Sequence, residues 1–218
     1  MAIFDLDGTI IDAAPDMAAG INGLLRARGL PPLQLEEATP LLGDGLRVFA
    51  ARAFRLRRSE ITEGEIAAFV DGYVQAPILE TRLYPDVART LGALREAGWR
   101  MVLCTNKVEV AACSILRELG VLPYFDAICG GDTVAFCKPD PRHIEQALAR
   151  ARLLHRPAVM VGDNRADVAA AQAYGMPSIF AAWGYGRPDM GRGATKVAGR
   201  FDELPGLMSA ALIGWASG

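Results

Sequence analysis

The stretch MAIFDLDGTI, residues 1–10, runs an apolar segment, 2–6, straight into two aspartates separated by a single leucine. An apolar run of that length, closed by Gly8 and Thr9, predicts a buried strand and a tight turn, with Asp5 and Asp7 at its carboxyl end. Paired carboxylates at the mouth of a sheet are costly unless a cation, a phosphate or a reaction compensates them. Further along, residues 100–104, 127–129, 158–161 and 178–182 repeat the short apolar pattern. Helical periodicity fills the gaps at 86–96, 108–119, 141–152 and 167–174. Gly98, Gly120 and Gly175 follow three of these helices, where a C′ residue takes positive φ. Strand and helix alternating at this spacing predict an α/β fold, a Rossmann-like parallel sheet covered on both faces and joined by right-handed crossovers.

The alternation breaks between residues 13 and 81, where helices appear without strands. Met17, Ile21, Leu24 and Leu25 form one apolar stripe, and Leu46, Phe49, Ala50, Ala53 and Phe54 form a second. A third, Ile66, Phe69, Val70, Tyr73 and Val74, follows a capping box of Thr62 and Glu65. The expected organisation is a core of residues 1–12 plus 82–218 carrying an inserted all-helical cap, 13–81. Hinges are expected near 11–14 and 79–84. Residues 184–199 read as a glycine-rich loop.

Composition narrows the function. A chain of 218 residues with 51% hydrophobic content supports a sizeable core, and its net charge of −2 lacks the basic excess of a nucleic-acid or anionic-membrane binder. Arg52, Arg55, Arg57 and Arg58 cluster locally and read as a solvated helix face. Cys104, Cys113, Cys129 and Cys137 show no metal-type spacing and read as buried thiols of a reducing compartment. No run of about 18 apolar residues is present, so a cytoplasmic location is expected.

Ligands of open parallel sheets bind beyond the strands' carboxyl ends. There the sequence places Asp5, Asp7, Gly8 and Thr9 after the first strand, Thr105 and Asn106 after the second, Lys138 near the third, and Asp163 and Asp167 after the fourth. Each has a structural alternative, as a helix cap, an ordinary turn or a solvated lysine. Several acids converging on one crevice instead call for a hard divalent cation, and Mg²⁺ suits a few carboxylates plus a substrate phosphate. One carboxylate of the 5/7 pair can then attack phosphorus while the other moves a proton. Gly8 lets backbone amides approach an anion, and Thr105 and Lys138 can hold phosphoryl oxygens.

The motifs DLDGT (5–9), CTN (104–106), Lys138-Pro139 and GDNRAD (162–167) resemble, in order, the four signatures of the haloacid dehalogenase superfamily, with a cap inserted after the first. That resemblance implies Asp5 as nucleophile, Asp7 as general acid and base, and Lys138 as a catalytic and phosphate-binding cation. It implies Mg²⁺ held by the Asp5 side chain, the Asp7 backbone carbonyl and Asp163, with Asp167 supporting from behind. An acid at position 7 points to phosphate-ester chemistry.

Longer stretches, 43–54, 104–116, 130–148, 161–177 and Gly184-Tyr185-Gly186, are similar to the bacterial phosphoglycolate phosphatase branch. Ala13 and Ala14 stand in a DxxPD stretch where that branch more often has serine, and Val108 stands where proline is common. Phosphatases of other small esters or of pyrophosphate remain open, as does a phosphomutase of the β-phosphoglucomutase kind. A non-catalytic binding module is the third class. In the cap, Gly43-Asp44-Gly45 resembles a loop facing the core site, and Arg47 beside it could pair with a substrate carboxylate or sit exposed. Asn106 is expected to bind substrate, and Lys107 to stand at the entrance. His143 and His155 are expected to take no part. The expected partner is a small phosphorylated metabolite, without nucleic acid or membrane, for a monomer or homodimer.

Overall fold

The structure is a computed structural model describing residues 1–76 and 78–216. Residues 77, 217 and 218 of the expected domain ranges lie outside the described residues. In chain order, β1 (Ala2–Phe4) leads into β2 (Ile11–Asp12) and then into four helices: α1 (Ala14–Ala27), α2 (Leu35–Ala38), α3 (Leu46–Leu56) and α4 (Glu63–Gln75). Alternation follows through β3 (Arg82–Leu83), α5 (Val87–Glu96), β4 (Met101–Cys104), α6 (Glu109–Glu118), β5 (Ala127–Cys129) and α7 (Pro141–Arg150). It ends with β6 (Val159–Gly162), α8 (Arg165–Tyr174), β7 (Ser178–Ala181), β8 (Lys196–Ala198) and α9 (Leu204–Ala216).

Six strands form one parallel sheet in the order β5-β4-β1-β6-β7-β8. The chain works outward from β1 to β5, then returns to β6 on β1's other side. The carboxyl end of β1 is therefore the point where the strand order reverses, and a crevice opens there. Phe4 stands opposite both Leu103 and Val161, so Asp5 emerges one residue past a register shared by three strands.

Both faces are buried, which is why the strands read as continuous apolar runs. Ala2 and Phe4 pack to one side with Met101, Leu103, Val159 and Val161, and Phe4 stacks on Phe201 at 5.9 Å. Ile3 packs to the other with Val102, Met160, Ile144 and Leu148.

The helical insert has its own apolar interior, in which Phe49, Phe54, Phe69 and Ile66 are buried and Phe49 meets Phe69 at 6.2 Å. The expected capping box at Thr62 and Glu65 is present. Two chain segments join insert to sheet, and β2 pairs β3 antiparallel across them, Ile11 opposite Leu83. The Asp16 carboxylate accepts the N–H groups of Leu79, Glu80 and Thr81 and the Thr81 hydroxyl. From the sheet side, the Tyr185 hydroxyl accepts the N–H groups of Ala13 and Ala14 and donates to Asp12 at 2.9 Å.

Several expectations need correction. Strand β8 lies inside the stretch read as loop, because it is three residues long, lies at the sheet edge and leaves Lys196 and Val197 exposed. Helix α9 has no one-sided apolar stripe to read. Helix α8 starts at Arg165 rather than 167: Asn164 caps it, and Asp167 completes the box from the third position. Cys137 is exposed, unlike buried Cys104 and Cys129. Arg57 is tied to Glu37 and to the carbonyls of Pro31 and Pro32, and so stitches the insert together. No helix among the described residues is long and apolar enough to cross a membrane.

Candidate active site

Past Phe4 the chain folds into a tight turn in which the N–H groups of Thr9, Ile10 and Ile11 all aim at the Leu6 carbonyl. Leu6 itself is buried, which anchors the turn and leaves the flanking Asp5 and Asp7 to emerge at the crevice. Gly8 has φ +82°, and a Cβ there would lie 2.2 Å from Asp163 Oδ2. No other residue fits that approach.

Lys138 is the hub of the acid cluster. Its buried Nζ lies 2.8 Å from Asp5 Oδ1 and 2.7 Å from Asp167 Oδ1, and donates to the Cys104 carbonyl at 2.6 Å. These three acceptors use the three donors of an ammonium. Burial pushes the Lys138 pKa down, but the Asp167 and Asp5 charges hold it above the ordinary lysine value. The lysine's backbone is clamped as well. Its N–H reaches the side-chain oxygen of Asn106 at 3.0 Å, and Asn106 Nδ2 donates to its carbonyl at 3.1 Å. The same N–H lies 3.3 Å from His143 Nδ1, while His143 Nε2 faces the Gly130 carbonyl at 3.2 Å. That pairing assigns the neutral tautomer with hydrogen on Nε2. Burial, then the Lys138 charge, lowers His143 to about 4.

Asp163 is held differently. It accepts the N–H groups of Tyr185 at 2.7 Å and Gly186 at 3.2 Å, and the Thr9 hydroxyl at 3.3 Å. Among the described residues no basic side chain pairs with it, and burial followed by the Asp5 charge pushes its pKa well up. Oxygens of Asp5, Asp163 and Asp167 lie within 4.8 Å of one another, all three residues buried. Burial pushes Asp167 to about 6 even with Lys138 opposing it. Oxygen-only donors with one carboxylate lacking a cation are a fit for a hard divalent ion.

Asp7 turns away from this cluster. Both its oxygens lie 3.0 Å from Lys107 Nζ, which also donates to the Tyr73 hydroxyl at 3.1 Å. Burial raises the Asp7 pKa, and Lys107 acts against that rise.

The insert closes the crevice. Met17, Gly43, Gly45 and Leu46 face Asp5, Asp7, Thr105 and Lys107 around a cavity of about 10 Å³. That is room for one water and no more. The glycine loop packs so closely that a Cβ on Gly43 would lie 2.2 Å from Asn164 Nδ2. A larger cleft of about 660 Å³, between α1, α4 and α6, is lined by Tyr73 but by none of Asp5, Asp7, Asp163 and Asp167.

The structure thus gathers Asp5, Asp7, Gly8, Thr105, Asn106, Lys138, Asp163 and Asp167 at one point. It does not bring Arg47 there: that side chain is 57% exposed and paired with Glu63 on the insert surface. Asn106 spends its side-chain oxygen and one N–H on the Lys138 backbone and still lines the cavity. Lys107 is buried and paired rather than standing at an entrance. Sequence reasoning missed the placing of Lys138 by His143 and the reach of Tyr73 and Tyr185. His143 carried a faint signal, five residues past a lysine at a helix start. Tyr185 carried one only through the Gly184-Tyr185-Gly186 resemblance, and the hydroxyl of Tyr73 carried none.

A family model described as a haloacid dehalogenase-like hydrolase matches residues 1–175. The chain is 42% identical over 189 residues to the phosphoglycolate phosphatase of Agrobacterium fabrum, covering 85% of this chain and 81% of the relative. To the phosphoglycolate phosphatase of Caulobacter vibrioides it is 32% identical, with 93% and 87% covered. Among solved structures, a predicted phosphoglycolate phosphatase from Haemophilus somnus superposes with a TM-score of 0.83 at 26% identity, over 95% and 96% of the two chains. CbbY from Rhodobacter sphaeroides in complex with phosphate superposes with a TM-score of 0.75 at 26% identity, over 93% and 95%.

Proposed function

Because the chain belongs to the haloacid dehalogenase-like hydrolase family, we propose that it hydrolyses a small phosphomonoester through Asp5, with 2-phosphoglycolate as the substrate. The observation that carries the mechanism is the division of the two acids: Asp5 faces Lys138 and the Asp163 cluster, Asp7 faces Lys107. The substrate rests on relatives that bear the phosphoglycolate phosphatase name at 32–42% identity over most of both chains.

In this reading Lys138 fixes the Asp5 carboxylate, which attacks phosphorus while the ester P–O bond breaks. Asp7 gives a proton to the departing alkoxide, so the alcohol leaves neutral and Asp5 carries the phosphoryl group. Asp7, now a carboxylate, takes a proton from water as that water attacks phosphorus. Asp5 and inorganic phosphate are released. The Thr105 hydroxyl and the Lys138 ammonium offset charge on the phosphoryl oxygens.

Asp5, Asp163 and the Asp7 carbonyl would hold Mg²⁺, with Asp167 behind them, and the ion would supply charge neutralisation for a dianionic group. With Asp7 protonated as the acid, three carboxylates against two ammonium groups leave the site one charge negative before a dianionic phosphate enters, and a divalent ion offsets that excess.

The cap in this reading is 13–81 and the core 1–12 plus 82–218, with the β2–β3 pairing across the hinge. A cavity of about 10 Å³ admits no phosphate ester, so the cap retracts to load substrate and then closes over the bound ester, less tightly than in this structure. Water other than the attacking molecule is thereby kept out.

The test is Asp5→Asn, assayed for Mg²⁺-dependent phosphate release with a melting curve as the fold control. Release should disappear and the melt should remain. Turnover near the wild-type rate would exclude Asp5 as nucleophile. A wild-type panel of phosphoglycolate, pyrophosphate, sugar phosphates and nucleotides reads the substrate, and a higher kcat/KM on any other member would replace it.

A further inference from the structure

We infer that Lys107 is a positioning residue for Asp7, and that Tyr73 of the insert makes this positioning conditional on closure. The inference rests on the reading of Asp7 as the group that handles the leaving-group proton.

Lys107 follows Thr105-Asn106 in the turn after β4, and its side chain is 1% exposed. Its Nζ meets three acceptors: Asp7 Oδ1 and Oδ2 at 3.0 Å each, and the Tyr73 hydroxyl at 3.1 Å. An ammonium has three protons, so this set is complete and leaves none for solvent. The Tyr73 ring also lies under the charge, 4.7 Å from Nζ to its centroid, within the range of a cation–π contact. Holding both carboxylate oxygens removes the freedom Asp7 would have about its terminal torsion, which is otherwise broad. The proton-handling oxygen is thereby fixed in direction.

Tyr73 comes from the other side of the crevice. It sits in the last turn of α4, and its ring packs on Phe69, which in turn meets Phe49 inside the insert. Its position therefore belongs to the insert's own interior, whereas Lys107 belongs to the sheet. When the insert retracts, Tyr73 leaves with α4, and the ammonium loses its third acceptor and the ring beneath it. Water then competes for Lys107, and its grip on Asp7 loosens. Asp7 is accordingly held in one orientation only while the cavity is shut. Acid–base chemistry is confined to the state from which bulk water is excluded.

The experiment compares kcat/KM for 2-phosphoglycolate, whose alkoxide leaves only with a proton, and p-nitrophenyl phosphate, whose phenolate leaves without one. The variants are Asp7→Asn, Lys107→Met, Tyr73→Phe and the Asp7→Asn/Lys107→Met pair. Asp7→Asn should lower the alkyl-to-aryl ratio by about 100-fold, in the range of a lost general acid. Lys107→Met should lower the same ratio at least about tenfold, and the double variant should lose nothing beyond Asp7→Asn, because the two act as one unit.

Tyr73→Phe keeps the ring and removes only the hydroxyl, so it should lower the ratio about threefold with an unchanged melt. It carries the test if Lys107→Met does not fold. A general loss of packing would slow both esters alike and leave the ratio where it was. That result in Lys107→Met overturns the positioning role, as do additive losses in the double variant, and that result in Tyr73→Phe overturns the part given to the insert. An unchanged ratio in Asp7→Asn instead overturns the proton-transfer reading on which the inference rests.

Discussion

His143 offers a quantitative test of how the Lys138 loop is held. The ring is fully buried, accepts the Lys138 N–H and faces the Gly130 carbonyl, so it must be neutral to fit. Its pKa falls from 6.5 to about 4, by burial first and the Lys138 charge second. A histidine held neutral in the folded chain binds fewer protons there than in the unfolded chain. Its contribution to stability is complete above pH 6.5 and is lost as the pH falls towards 4. A shift of that size is worth about 3 kcal/mol over the whole window, and about 2 kcal/mol between pH 7 and pH 5.

Asp167 titrates in the same region with the opposite sign, since its carboxyl is raised to about 6 and its protonation favours the folded chain. A single protein's pH profile therefore mixes the two. The difference between wild type and His143→Gln does not, because Asp167 is common to both. Urea unfolding at pH 7.0 and 5.0 should show the wild type losing about 2 kcal/mol more than the variant between the two. If both change equally, His143 is not the neutral buried clamp described above. Kinetics at pH 5 add a second reading, since a protonated ring would set N–H against the Lys138 N–H and slow turnover in wild type alone.

Gly8→Ala should leave the fold intact but lower Mg²⁺-dependent turnover by at least about 100-fold, because the new Cβ would lie 2.2 Å from Asp163 Oδ2; the check is a steady-state assay across a Mg²⁺ series, and ordinary activity at saturating Mg²⁺ would contradict the geometry. Asp16→Asn replaces one of the two oxygens that accept three N–H groups with an amide nitrogen that cannot accept, and removes the charge. The Asp16 carboxyl is held below its usual value by the Thr81 hydroxyl and these amides, against a burial effect that raises it. Its stabilisation is present above the ordinary carboxyl pKa and lost as the pH falls through the lowered one. The variant should then cost about 1 kcal/mol at pH 7, and progressively less as the pH falls below the ordinary carboxyl value through the lowered one, by urea unfolding. Phe54→Ala empties a fully buried position of the insert and should cost about 3 kcal/mol, read as a lower urea midpoint.

The parallel sheet was legible because β1, β4, β6 and β7 are buried on both faces, and such strands must be apolar throughout. Strand β8 was not, since an edge strand with two exposed residues of three has no such requirement. Asp5, Asp7, Lys138, Asp163 and Asp167 stood out because acids and a lysine at strand ends demand compensation. What could not be read was which cation faces which acid. Lys107 and Lys138 both lie near strand ends in the sequence, and only the turn geometry gives Asp7 to the first and Asp5 to the second. Tyr73 was invisible for a different reason. In a helical stripe, an aromatic that packs inside its own layer is indistinguishable from one whose hydroxyl reaches a neighbouring layer. Arg47 was open between a substrate contact and an exposed place, because nothing in a glycine loop's sequence shows that Glu63 on the next helix pairs with the arginine.

The insert reaches the 10 Å³ cavity through very few side chains, Met17 and Leu46 among them, with the rest of its contribution coming from glycine backbone. The side chains read as handling phosphorus and protons come from the sheet, and the insert adds Tyr73 behind Lys107. Positions 17 and 46 can thus vary apart from the acids, the lysines and Tyr73. Exchange of an apolar side chain at position 17 or 46 would reshape the room left for the alcohol portion of an ester without disturbing a single acid or lysine. A lineage built on this plan can drift from one phosphorylated metabolite to another through viable intermediates, each still a working hydrolase. Directed evolution of substrate range should accordingly begin at these two positions.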